Sequence, residues 1–167
     1  MNHGSFHIKP LEKENRTDFD CGSKALNHYF GMQVSQDVKR KVAKCFIAID
    51  KNSDQIAGFY TLCACNVRLQ ALPREWQKKL PKYPDVPSAL IGRLAIDISY
   101  QGKKVGSGLI FDAMQRALRS EVAVHSLVVE AKDERAVSFY LHHGFQQDRE
   151  NPNKLFIPFS VLTQSIV

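Results

Sequence analysis

The sequence predicts an α/β (α+β) fold: a mixed, mostly antiparallel central sheet with helices on both faces. Three observations carry that expectation. Two β-rich runs, Cys45–Asp50 and Ile56–Val67, flank the turn Asn52-Ser53-Asp54 and read as an antiparallel hairpin. Val105, Leu109, Ile110, Ala113, Met114, Ala117 and Leu118 recur at spacings of four and three, which sets them on one helical face. The periodic segments follow the order β-α-α-β-β-β-α-β-α-β-β, and that alternation requires a mixed sheet.

Each element has its own local reason. Phe6–Leu11 reads as a first strand, stopped near Pro10. Ser23 is the predicted N-cap of a helix through Phe30, with Gly31 as its breaker and Val34–Val42 as a second, basic helix. After the hairpin, Leu69–Tyr83 is expected to be irregular, with a helix from Pro73 to Leu80. Pro81, Pro84 and Pro87 make it an extended surface linker. Leu90–Asp97 is the next strand, and the Val105–Leu118 helix follows a glycine- and lysine-rich loop. Val122–Val129 reads as a buried strand. Asp133 caps a helix to about His142 that ends at Gly144, and Phe145–Gln147 with Leu155–Phe159 form a last strand pair.

Composition bounds the rest. A chain of 167 residues, 44% apolar and 24% charged, fits one globular domain over residues 1–167. No apolar run approaches the ~18 residues of a membrane span, and Met1–His7 lacks signal-peptide form. Cys45, Cys63 and Cys65 lie in apolar strand-like segments and read as buried free thiols. No metal-ligand spacing occurs, and a reducing cytoplasm is the expected location. The net charge of +6 is clustered: Lys39-Arg40-Lys41 with Lys44, then Arg74 with Lys78, Lys79 and Lys82, then Lys103-Lys104. Such clusters favour a polyanion, or else form solvated helix faces.

The loop Gln101-Gly102-Lys103-Lys104-Val105-Gly106-Ser107-Gly108 stands between a strand and a helix start. Free helix-terminal amides, glycines and lysines together suit a phosphate. Neither a P-loop nor a complete dinucleotide fingerprint is present, since Phe111 occupies the third glycine position of the latter. The loop resembles the Q/R-x-x-G-x-G/A pyrophosphate loop of the GNAT acetyltransferases, which bind acetyl-CoA. Gln101 and Gly106 match, whereas Lys104 stands where the middle glycine is usual and places a side chain at a close-approach position. Ala136-Val137-Ser138-Phe139-Tyr140-Leu141-His142-His143-Gly144-Phe145 is similar to the A-x-x-F-Y-x-x-x-G-F segment of many GNAT enzymes.

The resemblance narrows at Phe19-Asp20-Cys21-Gly22 with Leu26-Asn27, and at Ile91-Gly92-Arg93-Leu94-Ala95-Ile96-Asp97 with Tyr100-Gln101-Gly102-Lys103. Both stretches are similar to the GNAT toxins of type II toxin–antitoxin pairs, the TacT-like group, over roughly residues 6–160. The resemblance implies a GNAT fold splayed at the acetyl-CoA site. It implies acetylation of the α-amino group of an aminoacyl-tRNA, which blocks translation. A ribbon-helix-helix antitoxin is then expected as a partner, and a homodimer is admitted. Two other readings stay open: a GNAT acting on a small amine or protein lysine, and an inactive GNAT fold that binds nucleic acid or an antitoxin.

By that resemblance the site residues are these. Tyr140 is the acid that protonates the leaving thiolate, although on residues alone a packed ring at a helix end fits as well. Gln101, Gly102, Lys103, Lys104, Val105, Gly106, Ser107 and Gly108 form the pyrophosphate loop. A backbone N–H from Leu94, Ala95 or Ile96 is the oxyanion donor. Arg93 interrupts an apolar strand, as a substrate-side group or a sheet-edge charge. Lys39, Arg40, Lys41 and Lys44 are expected to meet tRNA or an acidic antitoxin tail. No general base stands out; Asp97 and Tyr60 are weak candidates with structural readings of their own. An α-amine titrates near ~7.7–8.0 and needs less help than a lysine near ~10.4, so the missing base favours an α-amine acceptor. His142 and His143 read as favourable helix-end charges or surface groups.

Overall fold

The computed structural model describes residues 5–160. The leader reading falls partly on Met1–Gly4, outside those residues. Seven strands form one sheet in the order β1-β2-β3-β4-β5-β7-β6. They are β1 (Phe6–Pro10), β2 (Lys44–Asp50), β3 (Ile56–Arg68), β4 (Asp85–Ile96), β5 (Ser126–Glu130), β6 (Gln146–Gln147) and β7 (Lys154–Pro158). β4 and β5 run parallel, whereas β1–β2, β2–β3, β5–β7 and β6–β7 are antiparallel. The helices are α1 (Lys24–His28), α2 (Val34–Lys39), α3 (Arg74–Gln77), α4 (Val105–Leu118) and α5 (Glu134–His142). The chain divides into two compact units. Among described residues, the first holds those up to Cys63 together with Gly92–Gln115, and the second holds Ala64–Ile91 and those from Arg116 on.

In the first unit, β1 is an edge strand and Pro10 its last residue, where a missing N–H costs no ladder bond. Ser23 caps α1 as expected, its Oγ accepting the Leu26 N–H at 3.3 Å. Gly31 does not break the helix. The winding continues through a π-turn, Tyr29–Gln33, straight into α2. Packing explains this. Phe30 and Val34 are fully buried, Phe30 stacks on Phe59 at 4.1 Å between centroids, and Phe19 meets Phe30 edge-on at 4.8 Å. Fully burying one such side chain is worth ~1.5–3 kcal/mol, more than the ~1 kcal/mol that a mid-helix glycine costs. The second helix stops at Lys39 rather than Val42, because Lys41 turns the chain at φ 61°. The core of this unit gathers Phe19, Phe30, Val34, Ile47, Phe59 and Ala95.

In the second unit, the segment after β3 is not a surface linker. A 3₁₀ turn, Leu69–Ala71, leads to α3, which is shorter than predicted. Leu72 is fully buried, and Trp76 meets Phe156 edge-on at 5.7 Å. Pro87 lies inside β4, which starts at Asp85 rather than Leu90. The β5 strand starts four residues later than predicted, since Val122 is 72% exposed. Of the cysteines, only Cys45 is buried. Cys21, Cys63 and Cys65 are half-buried, and all four are free thiols. No described helix is long and apolar enough to cross a membrane.

Candidate active site

Two sets of residues matter, one in each unit. The first is built where β4 ends. Gly58 on β3 allows close approach there: a Cβ on it would stand 2.9 Å from the Ala95 carbonyl oxygen. Asp97 follows, its N–H donating to the Ala57 carbonyl at 2.9 Å. The Asp97 carboxylate is occupied: Oδ1 accepts the Ser99 N–H at 2.8 Å, and Oδ2 accepts the Asp20 N–H at 3.0 Å. Asp97 thus serves as a turn cap and a tie to Asp20. Tyr60 is fully buried and donates to Asp112 on α4 at 2.7 Å, which makes it a strut.

The Phe19-Asp20-Cys21-Gly22 stretch now has a physical meaning. Phe19 enters the core. Oδ1 of Asp20 accepts from the Gly22 N–H and from Asn27 Nδ2, both at 2.9 Å, and Asn27 Oδ1 accepts the Cys21 N–H at 2.9 Å. The Asn27 hydrogen bond holds the Asp20 carboxyl below its ordinary pKa. Ile98 N–H donates to the Asp20 carbonyl at 2.8 Å. The start of α1 is thereby laced to the end of β4.

The glycine- and lysine-rich loop is held from below. Gln101 Nε2 donates to the Ile96 carbonyl at 3.2 Å and the Cys21 carbonyl at 3.4 Å, so its side chain braces the loop against the strand. Tyr100 is an anchor that sequence reasoning missed. Its hydroxyl donates to Asp50 Oδ2 at 2.8 Å on the far side of the hairpin turn, and its ring meets Phe6 edge-on at 5.7 Å. Nothing at the level of residue spacing links Tyr100 to a carboxylate fifty positions away.

The loop itself is open. Gln101, Gly102, Lys103 and Lys104 are exposed, and Val105 and Gly108 are buried as α4 begins. Gly102 takes φ +79° and Lys104 φ +64°, both left-handed. Lys104 thus adopts the conformation that favours the glycine it replaces. Gly108 N–H donates to the Lys104 carbonyl at 3.2 Å. The amides of Gly102, Lys104, Val105 and Gly106 have no partner among the described residues. Unpaired amides at a helix N-terminus beside two exposed lysines fit a diphosphate.

Arg93 stands next to this strand end. Its guanidinium lies over the Tyr29 ring at 3.6 Å from the centroid, a cation–π contact. Its N–H donates to Thr61 Oγ1 at 3.1 Å. The Tyr29 hydroxyl donates to Asp37 at 2.8 Å, and burial raises the phenol to about 12. Lys39, Arg40, Lys41 and Lys44 are all exposed, where α2 ends and β2 starts, and none carries an ion pair among described residues.

The second set lies on α5. Asp133 Oδ1 accepts the Ala136 N–H at 2.8 Å and fixes the helix start. Gly144 ends it at φ +90°, letting Phe145 fold back: the Phe145 N–H donates to the Tyr140 carbonyl at 3.1 Å, and the two rings meet edge-on at 5.5 Å. Phe139 closes on Tyr140 at 5.4 Å. Tyr140 is 7% exposed, and its hydroxyl has no hydrogen-bond partner among described residues. Burial pushes the phenol up to about 12. His143 Nδ1 lies 2.7 Å from the Phe139 carbonyl at the end of α5.

A family model described as "Acetyltransferase (GNAT) domain" matches residues 41–147. A protein of Mycobacterium tuberculosis (strain ATCC 25618 / H37Rv) named "tRNA-acetylating toxin" is 27% identical over 143 residues, covering 84% of each chain. AtaT, solved in complex with acetyl-methionyl-tRNAfMet, is 34% identical. That match covers 97% of this chain and 99% of AtaT, with a TM-score of 0.88. A mutant AtaT toxin, solved bound to the C-terminus of the antitoxin AtaR and to acetyl-CoA, is 28% identical. It covers 98% of this chain and 99% of its own, with a TM-score of 0.78.

Proposed function

Since the chain belongs to the GNAT acetyltransferase family, we propose that it moves the acetyl group of acetyl-CoA onto the α-amino group of an aminoacyl-tRNA. It thereby blocks translation as the toxin of a type II toxin–antitoxin pair, in the cytoplasm where charged tRNA resides. It is an acetyl-CoA-dependent N-acetyltransferase, and the whole chain serves as one catalytic domain. The observation that carries the acceptor is the likeness to AtaT in its acetyl-methionyl-tRNA complex, which extends over 97% of the chain. An antitoxin partner rests on the likeness to the AtaT–AtaR complex.

Acetyl-CoA supplies an acetyl group activated as a thioester. The chain's residues do the rest. Unpaired amides of Gly102, Lys104, Val105 and Gly106, with Lys103 and Lys104, hold the pyrophosphate, while Gln101 braces the loop. A backbone N–H of Leu94, Ala95 or Ile96 donates to the carbonyl oxygen as negative charge grows on it. The α-amine forms the new C–N bond and gives its proton to water. As the C–S bond breaks, Tyr140 gives its hydroxyl proton to the sulfur. Two properties support that role. A phenol raised to about 12 keeps its proton at neutral pH. A buried hydroxyl without a partner costs about 1–3 kcal/mol, a cost with a purpose if the partner arrives with the substrate.

The test offers labelled acetyl-CoA to charged tRNA, deacylated tRNA, a polyamine and a lysine peptide. Label on charged tRNA alone is expected. Label on the polyamine or peptide with none on charged tRNA overturns the acceptor. No transfer to any, with acetyl-CoA still bound, makes the chain an inactive binding protein.

A further inference from the structure

The second unit carries a basic cluster that the catalytic residues do not use. Residues 69–84 form a closed surface loop: the Leu69 N–H donates to the Pro84 carbonyl at 3.0 Å, so the two ends meet. Compact loops of this kind are often functional. Its underside is fixed. Leu72 is fully buried, Trp76 packs on Phe156, and Gln77 Nε2 donates to the Leu72 carbonyl at 2.7 Å. The loop carries Arg74, Lys78, Lys79 and Lys82, all exposed, against one acid, Glu75, with Asp85 just past its end. Next to Lys82 in the chain, Tyr83 is 68% exposed, with no ring, cation or hydrogen-bond partner among described residues.

We propose that this loop is an RNA-docking platform, on which Tyr83 stacks an unpaired base while Arg74, Lys78, Lys79 and Lys82 hold the neighbouring phosphates. The inference rests on the tRNA reading above and adds a surface to it. Sequence-tolerant binding of single-stranded nucleic acid combines cations that follow the backbone with an aromatic ring that takes a base. Both are present on one loop whose ends are joined by a hydrogen bond. Pro81 and Pro84 bracket Lys82-Tyr83 and fix their own φ angles, which lowers the entropy lost when the ring is ordered by a ligand. An acidic protein segment would use the cations but leave the ring idle. The unpaired 3′ end of a charged tRNA uses both.

The test compares the full-length parent with Tyr83→Ala, Tyr83→Phe and the triple variant Lys78→Gln, Lys79→Gln, Lys82→Gln. Tyr83→Ala is expected to raise KM for charged tRNA about tenfold or more, the loss of one stacked base. Its kcat, acetyl-CoA affinity and Tm should stay parental, and Tyr83→Phe should restore KM. The triple variant should flatten the dependence of log K on log salt by about two units. A parent that acetylates charged tRNA, with a Tyr83→Ala variant of equal KM, overturns the platform and leaves the tRNA reading standing. A parent that leaves charged tRNA untouched overturns that reading. Binding of uncharged tRNA and of a short single-stranded RNA, followed by fluorescence of Trp76, the sole tryptophan, then decides the platform alone. Equal RNA binding by parent and Tyr83→Ala overturns it there too. A triple variant that loses an acidic peptide but keeps RNA makes the loop a protein-docking surface and also overturns it.

Discussion

Lys104 holds a left-handed backbone at φ +64° in the loop assigned to the pyrophosphate. An L-residue pays about 1–2 kcal/mol for that conformation, while a glycine pays about 0.4–1 kcal/mol through its freer unfolded chain. Lys104→Gly should therefore leave Tm at or slightly above the parent's and keep acetyl-CoA affinity. Lys104→Ala loses the charge as Lys104→Gly does but keeps the strain, so it should bind less tightly than Lys104→Gly; titration calorimetry on both, with the charge absent from each, isolates the backbone geometry. Tyr140→Phe deletes one hydroxyl. If that group is the acid, kcat should fall about 10²–10⁴-fold with acetyl-CoA binding intact. Tm should hold or rise, since an unpaired buried hydroxyl is gone. A packing tyrosine would show parental turnover instead. The sign of the pH effect follows from burial. The folded phenol, at about 12, lies above the ~10 of an unfolded tyrosine. The stability it contributes is full below pH ~10 and is lost as pH rises through about 12. For the same reason the rate should rise as the substrate α-amine loses its proton, with no fall before pH ~10. Stopped assays across that range check both limbs.

Among the elements, the start of α1 and the end of β4 depend on one small network. Asn27 bonds Asp20, and Asp20 bonds Asp97 through its N–H. Asn27→Ala should cost about 1–3 kcal/mol of stability, two hydrogen bonds at ~0.5–1.5 kcal/mol each. It should also weaken acetyl-CoA binding, because the loop is braced on Cys21 and Ile96 by Gln101. Parental affinity in a destabilised Asn27→Ala variant would show that the network holds the fold and not the loop. This network marks the limit of what the sequence carries. Periodicity located α4 closely, and the cap at Asp133 with the glycine at Gly144 bounded α5. The tie from Asp20 to Asp97 spans 77 positions, and no local signal announces it. Gly31 misled for a related reason: helix propensity is local, whereas the Phe30–Phe59 stack that overrides it is tertiary. The prolines of the 69–84 loop pointed to an exposed linker, yet Leu72 and Trp76 tie that loop to the core by contacts no spacing encodes. Val122 fits a strand by propensity but stands in solvent.

At the scale of the molecule, the net charge of +6 is spread over separate exposed clusters. Neutralising Lys39, Arg40, Lys41 and Lys44 together should raise KM for charged tRNA and reduce the salt slope, since each lost phosphate contact leaves one counterion unreleased. Acetyl-CoA affinity should not change. Equal salt slopes in parent and variant would assign the cluster to something other than RNA. Transfer to a small free amine should vary little with salt. The central claim, that an α-amine carried by tRNA is the acceptor, has a direct measurement. Charged tRNA is incubated with the protein and acetyl-CoA, the ester is opened with mild base, and the released amino acid is weighed by mass spectrometry. The account predicts an amino acid heavier by one acetyl group on its α-nitrogen, absent when acetyl-CoA is withheld. An unmodified amino acid, from protein that acetylates a polyamine or a lysine peptide in the same buffer, would contradict it.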